Sequence, residues 1–326
     1  MRWGDITLTA VRWSLALPTD RVDRPEEFLT GRAIAEAARA AEDAGFGAVY
    51  VTDHPAPDQR WLEGGGHHAL EPTVALSFAA AATQHLHLHT NVYVAAYRNP
   101  FLAAKAIASL DVLAGGRVIL GVAAGYLRPE FGALGVDFDE RNALLDEAID
   151  LMRRVWTEDE VAAEGRHFRA RAVTMRPRPD RPGGPPIWAG GSVPGALERA
   201  GKHFDGWFPN GPEAAVWGQH LKQVREHAQA AGRKPEDVLA AAYLTLNVDD
   251  NATRAEERMN KFLESYYGRR PDVIRKHQAC FAGPAASAAE WLNGYVEQGC
   301  QYIVLRIAGE HERHLDAVAR LREQLK

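Results

Sequence analysis

The end of one apolar, β-type run places a histidine where it can do acid–base chemistry. The run closes at Val51-Thr52-Asp53-His54. A histidine titrates near neutrality, so His54 is suited to exchange a proton beside a hydride-transfer centre. Asp53 next to it can fix a histidine tautomer or bind a polar edge of a cofactor. The alternative is that His54 only forms a hydrogen bond with a loop.

A second strand-like run ends in two glycines and a serine. Gly190, Gly191 and Ser192 follow Trp188-Ala189 and precede a short helical segment. Glycines let backbone N–H groups approach an anion closely, and a helix N-terminus favours negative charge. The pattern predicts a phosphate-binding turn. A tight strand-to-helix turn without a ligand is the alternative.

Two further strand ends offer contacts for a cofactor. Arg98 either meets an anionic cofactor tail or forms a salt bridge with a neighbouring helix. Ala123, Ala124 and Gly125 follow another run, and their small size allows a planar ring to lie close to the backbone. Tyr126 comes next. Its hydroxyl can donate a proton, although a tyrosine at a strand end more often packs.

Three alternating histidines raise the possibility of a metal centre. His85, His87 and His89 share one strand face, a spacing that zinc sites use. A metal-dependent barrel hydrolase also needs carboxylate or histidine ligands at several other strand ends. The ends of the predicted fourth, fifth and sixth strands carry Ala-Ala-Gly, Gly-Gly-Ser and Pro-Asn-Gly instead. We therefore predict no functional metal.

Strand-like and helix-like segments that alternate along the whole chain must position these groups. Such alternation is typical of parallel βαβ units, and eight of each predict an α/β fold, a (β/α)₈ TIM barrel, as one domain over residues 1–326. Two long insertions are expected, Thr157–Gly184 after the fourth helix, with a hairpin in Arg166–Arg176, and the helical Asn251–His277 after the seventh strand. The predicted strands are Arg12–Leu17, Ala48–Thr52, Leu86–Ala95, Arg117–Val122, Pro186–Ala189, Gly206–Pro209, Ala241–Val248 and Tyr302–Ile307. The predicted helices are Gly31–Ala44, Glu71–Thr83, Phe101–Leu113, Asp139–Trp156, Pro194–Ala200, Glu213–Ala230, Ala285–Gln298 and Glu310–Gln324.

Composition narrows the class of protein. The 326 residues are 46% hydrophobic and 25% charged, which is typical of globular proteins with a large core. The net charge of -5, with acidic and basic residues interspersed, argues against a nucleic-acid partner. No apolar run reaches the roughly 18 residues of a membrane helix, and no signal segment is visible, so we expect a cytoplasmic protein without a membrane partner.

Several segments together resemble one family. The block Leu110–Asp159 is similar to the central signature of luciferase-like monooxygenases, in particular the oxidoreductases that use coenzyme F420. The resemblance implies a bacterial-luciferase-like barrel that transfers a hydride between F420 and a small organic substrate. The alternative is an FMN-dependent monooxygenase that uses reduced flavin and O₂ and needs a flavin reductase as partner. The family also implies a homodimer. Other matching segments are VTDH (51–54), YRNP (97–100), PIWAGGS (186–192), DGWFP (205–209), CFAGPAASAAEWL (280–292) and QYIVLRI (301–307).

The same resemblance implies roles for individual residues. Asp53 and His54 match a pair beside the deazaflavin ring, where the histidine exchanges the proton. Asn91-Val92 falls where the family has a non-proline cis peptide that forms a bulge behind the ring. Tyr126 stands where the sugar dehydrogenases of the family have a catalytic glutamate, which makes a sugar-phosphate substrate doubtful and leaves Tyr126 as a substitute proton donor.

The remaining implied contacts concern the cofactor. Ala123, Ala124 and Gly125 match residues that line the ring, and Gly190, Gly191 and Ser192 match the phosphate-binding turn. Because a deazaflavin cofactor carries anionic groups, basic side chains are candidate contacts for its phosphate or glutamate tail. These are Arg98, Arg128 and Lys202.

Overall fold

The computed structural model describes residues 11–309 and 311–324, which alternate between strands and helices as predicted. Within these residues the strands are β1 Arg12–Ala16, β2 Ala48–Val51, β3 His87–Thr90, β4 Val118–Val122, β5 Val161–Glu164, β6 Arg169–Val173, β7 Ile187–Ala189, β8 Gly206–Trp207, β9 Leu239–Val248, β10 Cys280–Gly283 and β11 Tyr302–Ile307. The helices are α1 Pro25–Phe28, α2 Gly31–Asp43, α3 Gln59–Glu63, α4 Pro72–Ala82, α5 Pro100–Leu113, α6 Arg128–Ala133, α7 Arg141–Thr157, α8 Pro194–His203, α9 Ala214–Ala230, α10 Ala252–Tyr267, α11 Pro271–Ile274, α12 Ala285–Glu297 and α13 His311–Gln324.

Local sequence fixes where several helices begin. Glu71 and Asn99 cap α4 and α5 through backbone N–H groups of the first turn, and a proline follows each cap. Proline fits the first helical position because that N–H has no partner within the helix. Asp58 caps α3 by accepting from the N–H of Trp61 at 3.2 Å. This cap sets the direction of the short helix that carries Trp61.

The chain forms two compact units. The N-half unit comprises residues 17–42 and 48–188. In it β3 pairs in parallel with β2 on one side and β4 on the other, and β7 follows β4. Every residue of β2 and β4 is buried. Continuous apolar burial of this kind is typical of parallel strands covered on both faces.

The C-half unit comprises residues 11–16 and 43–47 and the described chain from residue 189 onwards. The long strand β9 pairs in parallel with β11 on one side, and β11 in turn pairs with β1. On its other side β9 pairs first with β8 and then with β10.

Both predicted insertions are present. Antiparallel strands β5 and β6 form a hairpin with Val161 opposite Val173, so the predicted range Arg166–Arg176 is wrong, because it begins after β5 and includes only β6. His167 fastens the hairpin to α7 because its Nδ1 lies 2.8 Å from Glu147 and its Nε2 lies 3.2 Å from Glu140. The helices α10 and α11 form the insertion after β9.

Some predicted boundaries are wrong. The third strand ends at Thr90 rather than Ala95, because the chain then passes through a cis peptide and a 3₁₀ turn at Ala95–Tyr97. The sixth strand is only Gly206–Trp207. The short strand β10 was not predicted, because its Cys-Phe-Ala-Gly sequence lacks β-branched residues. The predicted start of the last helix at Glu310 lies outside the described residues.

No helix among the described residues has the length and apolar character needed to cross a bilayer.

Candidate active site

The pair Asp53 and Arg98 forms an ion pair within the N-half unit. Arg98 donates to both carboxylate oxygens of Asp53 at 2.6 and 2.9 Å. The N–H of Val94 donates to the same carboxylate at 3.0 Å, and the guanidinium lies over the ring of Tyr93, 4.1 Å from its centroid. Two predicted cofactor contacts therefore hold each other and fix the backbone after β3.

His54 lies directly after this pair and contacts a carboxylate that sequence reasoning missed. Its Nδ1 lies 3.3 Å from Oε2 of Glu130, in the first turn of α6. The same carboxylate accepts the hydroxyl of Tyr97 at 2.8 Å and the N–H of Ala56 at 3.1 Å. Glu130 is fully buried, so these contacts are its means of satisfying its oxygens.

The environment keeps Glu130 ionised. Burial would raise its pKa, but hydrogen bonds from His54 and Tyr97, the charge of His54 and the Ala56 N–H outweigh that effect and lower the pKa below its ordinary value. An ionised carboxylate only accepts hydrogen bonds. The Nδ1 that faces it must therefore carry a hydrogen, which leaves the lone pair of neutral His54 on Nε2.

Three other rings surround His54. We call Trp61, His67 and Tyr126 the ring cluster. The ring centroids of Trp61 and His67 lie 4.6 and 4.8 Å from that of His54. The Tyr126 hydroxyl lies 3.4 Å from Nε2 of His54. The structure therefore brings the two predicted proton-handling residues together, with Tyr126 on the side of the imidazole opposite Glu130.

A strip of small or turned backbone lies after β3 and β4 in the same unit. The Asn91–Val92 peptide bond is cis, as the family resemblance implies. Ala123, Ala124 and Gly125 are half-buried and carry no side chain beyond Cβ. Gly125 has φ +87°, and an added Cβ would lie 2.8 Å from Val94 Cγ1, so only glycine fits there. This strip leaves room for a flat ring to approach the backbone.

The predicted phosphate turn belongs to the C-half unit. Gly191 has φ +97°, and its carbonyl accepts the indole N–H of Trp207 at 2.9 Å. Helix α8 has Val193 as its N-cap, with no side-chain capping bond, so Ser192 does not cap the helix. Gly190 and Ser192 are half-buried and Gly191 is exposed. A phosphate contact at this turn stays a prediction.

Two other basic candidates have protein partners. Arg128 pairs with Asp139 at 2.8 Å, and both side chains are exposed. Lys202 pairs with Glu198 at 2.5 Å on the surface of α8. Their predicted contacts with a cofactor tail stay predictions.

The three histidines do not converge. His85 precedes β3 and is exposed, whereas His89 is fully buried between the rings of Tyr50 and Trp188. Burial, and to a lesser degree the charge of His87, lowers the pKa of His89 to about 3, so its imidazole is neutral. Among the described residues no three His, Cys, Asp or Glu side chains are grouped as metal ligands.

Comparison with known proteins identifies the family to which the chain belongs. Residues 13–325 match the model of the luciferase-like monooxygenase family. The chain belongs to this family.

One similar protein is an F420-dependent glucose-6-phosphate dehydrogenase of Kineococcus radiotolerans, 33% identical over 71% of this chain and 68% of that protein. Another is an F420-dependent hydroxymycolic acid dehydrogenase of Mycobacterium tuberculosis, 34% identical over 71% of this chain and 62% of that protein. The matched segments thus span about two thirds of each relative.

A solved structure supports the fold. The coenzyme F420-dependent tetrahydromethanopterin reductase of Methanopyrus kandleri superposes with a TM-score of 0.78 at 19% identity. The match covers 98% of this chain and 100% of the reductase. The likeness shows the fold, an α/β TIM barrel of the luciferase-like type, which confirms the predicted fold class.

Proposed function

We propose that the protein is a coenzyme F420-dependent oxidoreductase that transfers a hydride between the deazaflavin and a small organic substrate. The observation that carries the proposal is the His54–Glu130 pair, which presents the Nε2 lone pair of His54 beside the hydroxyl of Tyr126. The proposal agrees with the F420-dependent dehydrogenases among the relatives of this chain.

The residues of the N-half unit fit a flat cofactor ring. The cis Asn91–Val92 peptide and the half-buried Ala123–Gly125 strip would hold it against the backbone. Asp53, paired with Arg98, fixes the backbone at Val94, whose side chain lies against Gly125. Coenzyme F420, when bound, supplies or accepts the hydride. The protein itself must then hold the substrate and move one proton.

His54 handles that proton. In alcohol oxidation, Nε2 takes the hydroxyl proton while the hydride leaves the carbon, and a carbonyl forms. In the reverse direction the imidazolium returns the proton to the oxygen. Glu130 stabilises the imidazolium because its ionised carboxylate lies 3.3 Å from Nδ1. Tyr126 orients the substrate oxygen by donating its hydroxyl hydrogen.

The second candidate is an FMN-dependent monooxygenase with a partner flavin reductase, favoured by the family's description as luciferase-like monooxygenases. Titration of the purified protein with F420 and with FMN, in both redox states, separates the two. Tight binding of F420 alone supports the proposal. Preference for reduced FMN supports the monooxygenase, and binding of neither contradicts both.

The proposal also includes a homodimer. The cytoplasmic location expected from the sequence is retained as part of the proposal. Helix α4 has no charged residue, and Val74 and Phe78 are 58% and 48% exposed. On the adjacent α5, Leu102 and Leu113 are 72% and 79% exposed. Lys105, the exposed cation of α5, donates to the carbonyl of Arg176. A helix that is apolar all round usually has its outer face covered, and a predominantly apolar patch can pair with its own copy.

A further inference from the structure

The ring cluster around His54 has properties that bear on the substrate. Tyr126 is 65% exposed, and Trp61 and His67 are half-buried. A tyrosine that only packs against a core is normally buried. Tyr126 therefore presents an exposed hydroxyl and ring beside His54, where a ligand can reach both.

The charged side chain that contacts the His54 imidazole is a carboxylate on its Nδ1 side. This carboxylate is Glu130, which is fully buried and already accepts three hydrogen bonds. Nearby arginines have acidic partners, since Arg98 pairs with Asp53 and Arg128 with Asp139. Arg60, next to Trp61, is exposed to solvent. A phosphate ester needs fixed cations to offset the loss of its hydration, and none of these three arginines of the N-half unit is both buried and free of an acidic partner.

The geometry points to a neutral, flat substrate with one hydroxyl or carbonyl oxygen, an aryl or conjugated secondary alcohol or its ketone, bound on the ring cluster. This inference rests on the proposed function and names its substrate class. The Nε2 of His54 and the hydroxyl of Tyr126 are 3.4 Å apart, and the substrate oxygen would lie beside this pair, within hydrogen-bond reach of both atoms, in place of their mutual contact. An alcohol oxygen donates its hydrogen to the former and accepts one from the latter. The flat part would stack on Trp61.

The position of Trp61 depends on one glycine. A Cβ added to Gly66 would lie 2.2 to 2.7 Å from three atoms of the Trp61 indole, although the backbone of Gly66 itself suits other residues. The Gly66→Ala variant must therefore displace the indole without removing any aromatic group. Gly132 is a matched control, because it lies on α6 and an added Cβ there meets nothing within 4 Å.

Binding of acetophenone, 1-phenylethanol and glucose 6-phosphate is measured by calorimetry and tryptophan fluorescence, with and without bound F420. We expect the wild type and Gly132→Ala to bind the two neutral ligands and to bind glucose 6-phosphate at least tenfold more weakly. Gly66→Ala and Trp61→Ala should each lose at least tenfold in affinity for the neutral ligands. Circular dichroism checks that each variant is folded. If Trp61→Ala does not fold, the comparison of Gly66→Ala with Gly132→Ala still tests the inference.

Two results overturn the inference. One is tighter binding of glucose 6-phosphate than of either neutral ligand. The other is that the wild type does not bind the neutral ligands, or that Gly66→Ala binds them as tightly as the wild type. The failure of the proposed function looks different. In that case the protein binds the neutral ligands in a Trp61-dependent way but does not bind F420.

Discussion

The Glu130 carboxylate lies 3.3 Å from Nδ1 of His54, and 76 residues of chain separate the two. The carboxylate settles which nitrogen of His54 carries the hydrogen and stabilises the imidazolium that proton transfer creates.

Glu130→Gln should lower turnover by about 10- to 100-fold, in line with the loss of an outer carboxylate partner of a functional histidine. Cofactor affinity should change little, because Glu130 lies behind His54. Steady-state kinetics and F420 titration measure the two effects. Glu36→Gln, on the exposed outer side of α2, serves as the control and should match the wild type. Equal turnover in both variants would remove Glu130 from the mechanism.

Glu130 should also make stability depend on pH. Its pKa is lower in the folded protein than the ordinary 4.5, so folding favours the ionised form. The stabilisation is complete above pH 4.5 and is lost as the pH falls through the folded-state pKa. The unfolding temperatures of the wild type and Glu130→Gln should therefore differ most near neutral pH, and this difference should become smaller below about pH 4.5. A difference that stays constant from pH 7 to pH 3 would contradict this assignment.

Tyr126→Phe removes the hydroxyl next to Nε2 of His54 and keeps the ring. We expect turnover to fall by about 10-fold, because a hydrogen bond that orients the reacting oxygen contributes on the order of 1 kcal/mol or more. Binding of a neutral aromatic ligand should be retained. His54→Ala should abolish turnover with F420 binding largely kept. If Tyr126→Phe turns over at the wild-type rate, the hydroxyl has no part in the reaction.

The ion pair of Arg98 with Asp53 should matter for stability. The Asp53 side chain is 1% exposed, so Arg98→Ala leaves a buried carboxylate without its cation and should cost about 3 kcal/mol in the free energy of unfolding. Arg128→Ala removes an exposed, solvent-screened pair and should cost much less. Chemical denaturation compares the two. Similar losses would show that burial of the pair is unimportant.

The apolar α4–α5 face should control the oligomeric state. Leu102→Glu places a charge on this face and should convert the dimer to a monomer in sedimentation experiments. Val22→Glu is the matched control, because Val22 is also exposed, at 44%, but lies outside both helices. If the wild type sediments as a monomer, the protein is not a dimer. If Leu102→Glu remains dimeric, the dimer interface does not lie on the α4–α5 face.

Sequence patterns predicted the alternation of strands and helices because buried parallel strands are continuous apolar runs. They failed where the chain leaves β3, since no period marks the turn at Ala95–Tyr97. His54 and Tyr126 were found because both follow strands. Their proximity needed coordinates, because side chains 72 residues apart meet only through strand order.

Glu130 was missed for a related reason. It lies in a six-residue helix too short to show a hydrophobic period, and nothing local marks a carboxylate there as buried. Its position four residues after Tyr126, following a predicted strand, was the available signal. Tyr97 was quoted only as part of a motif, and its hydrogen bond to Glu130 likewise became visible only in the fold.

The segment from Trp61 to His67, in which Gly66 fixes the position of the Trp61 indole, has an evolutionary consequence. Trp61, Gly66 and His67 all lie within one stretch of seven residues, whereas His54 and Glu130 are anchored by β2 and α6. Mutations in that stretch can therefore reshape what the protein accepts while the acid–base pair stays intact. A lineage built this way can diversify its chemistry one loop at a time, and the same stretch is the natural target for a saturation library in the laboratory.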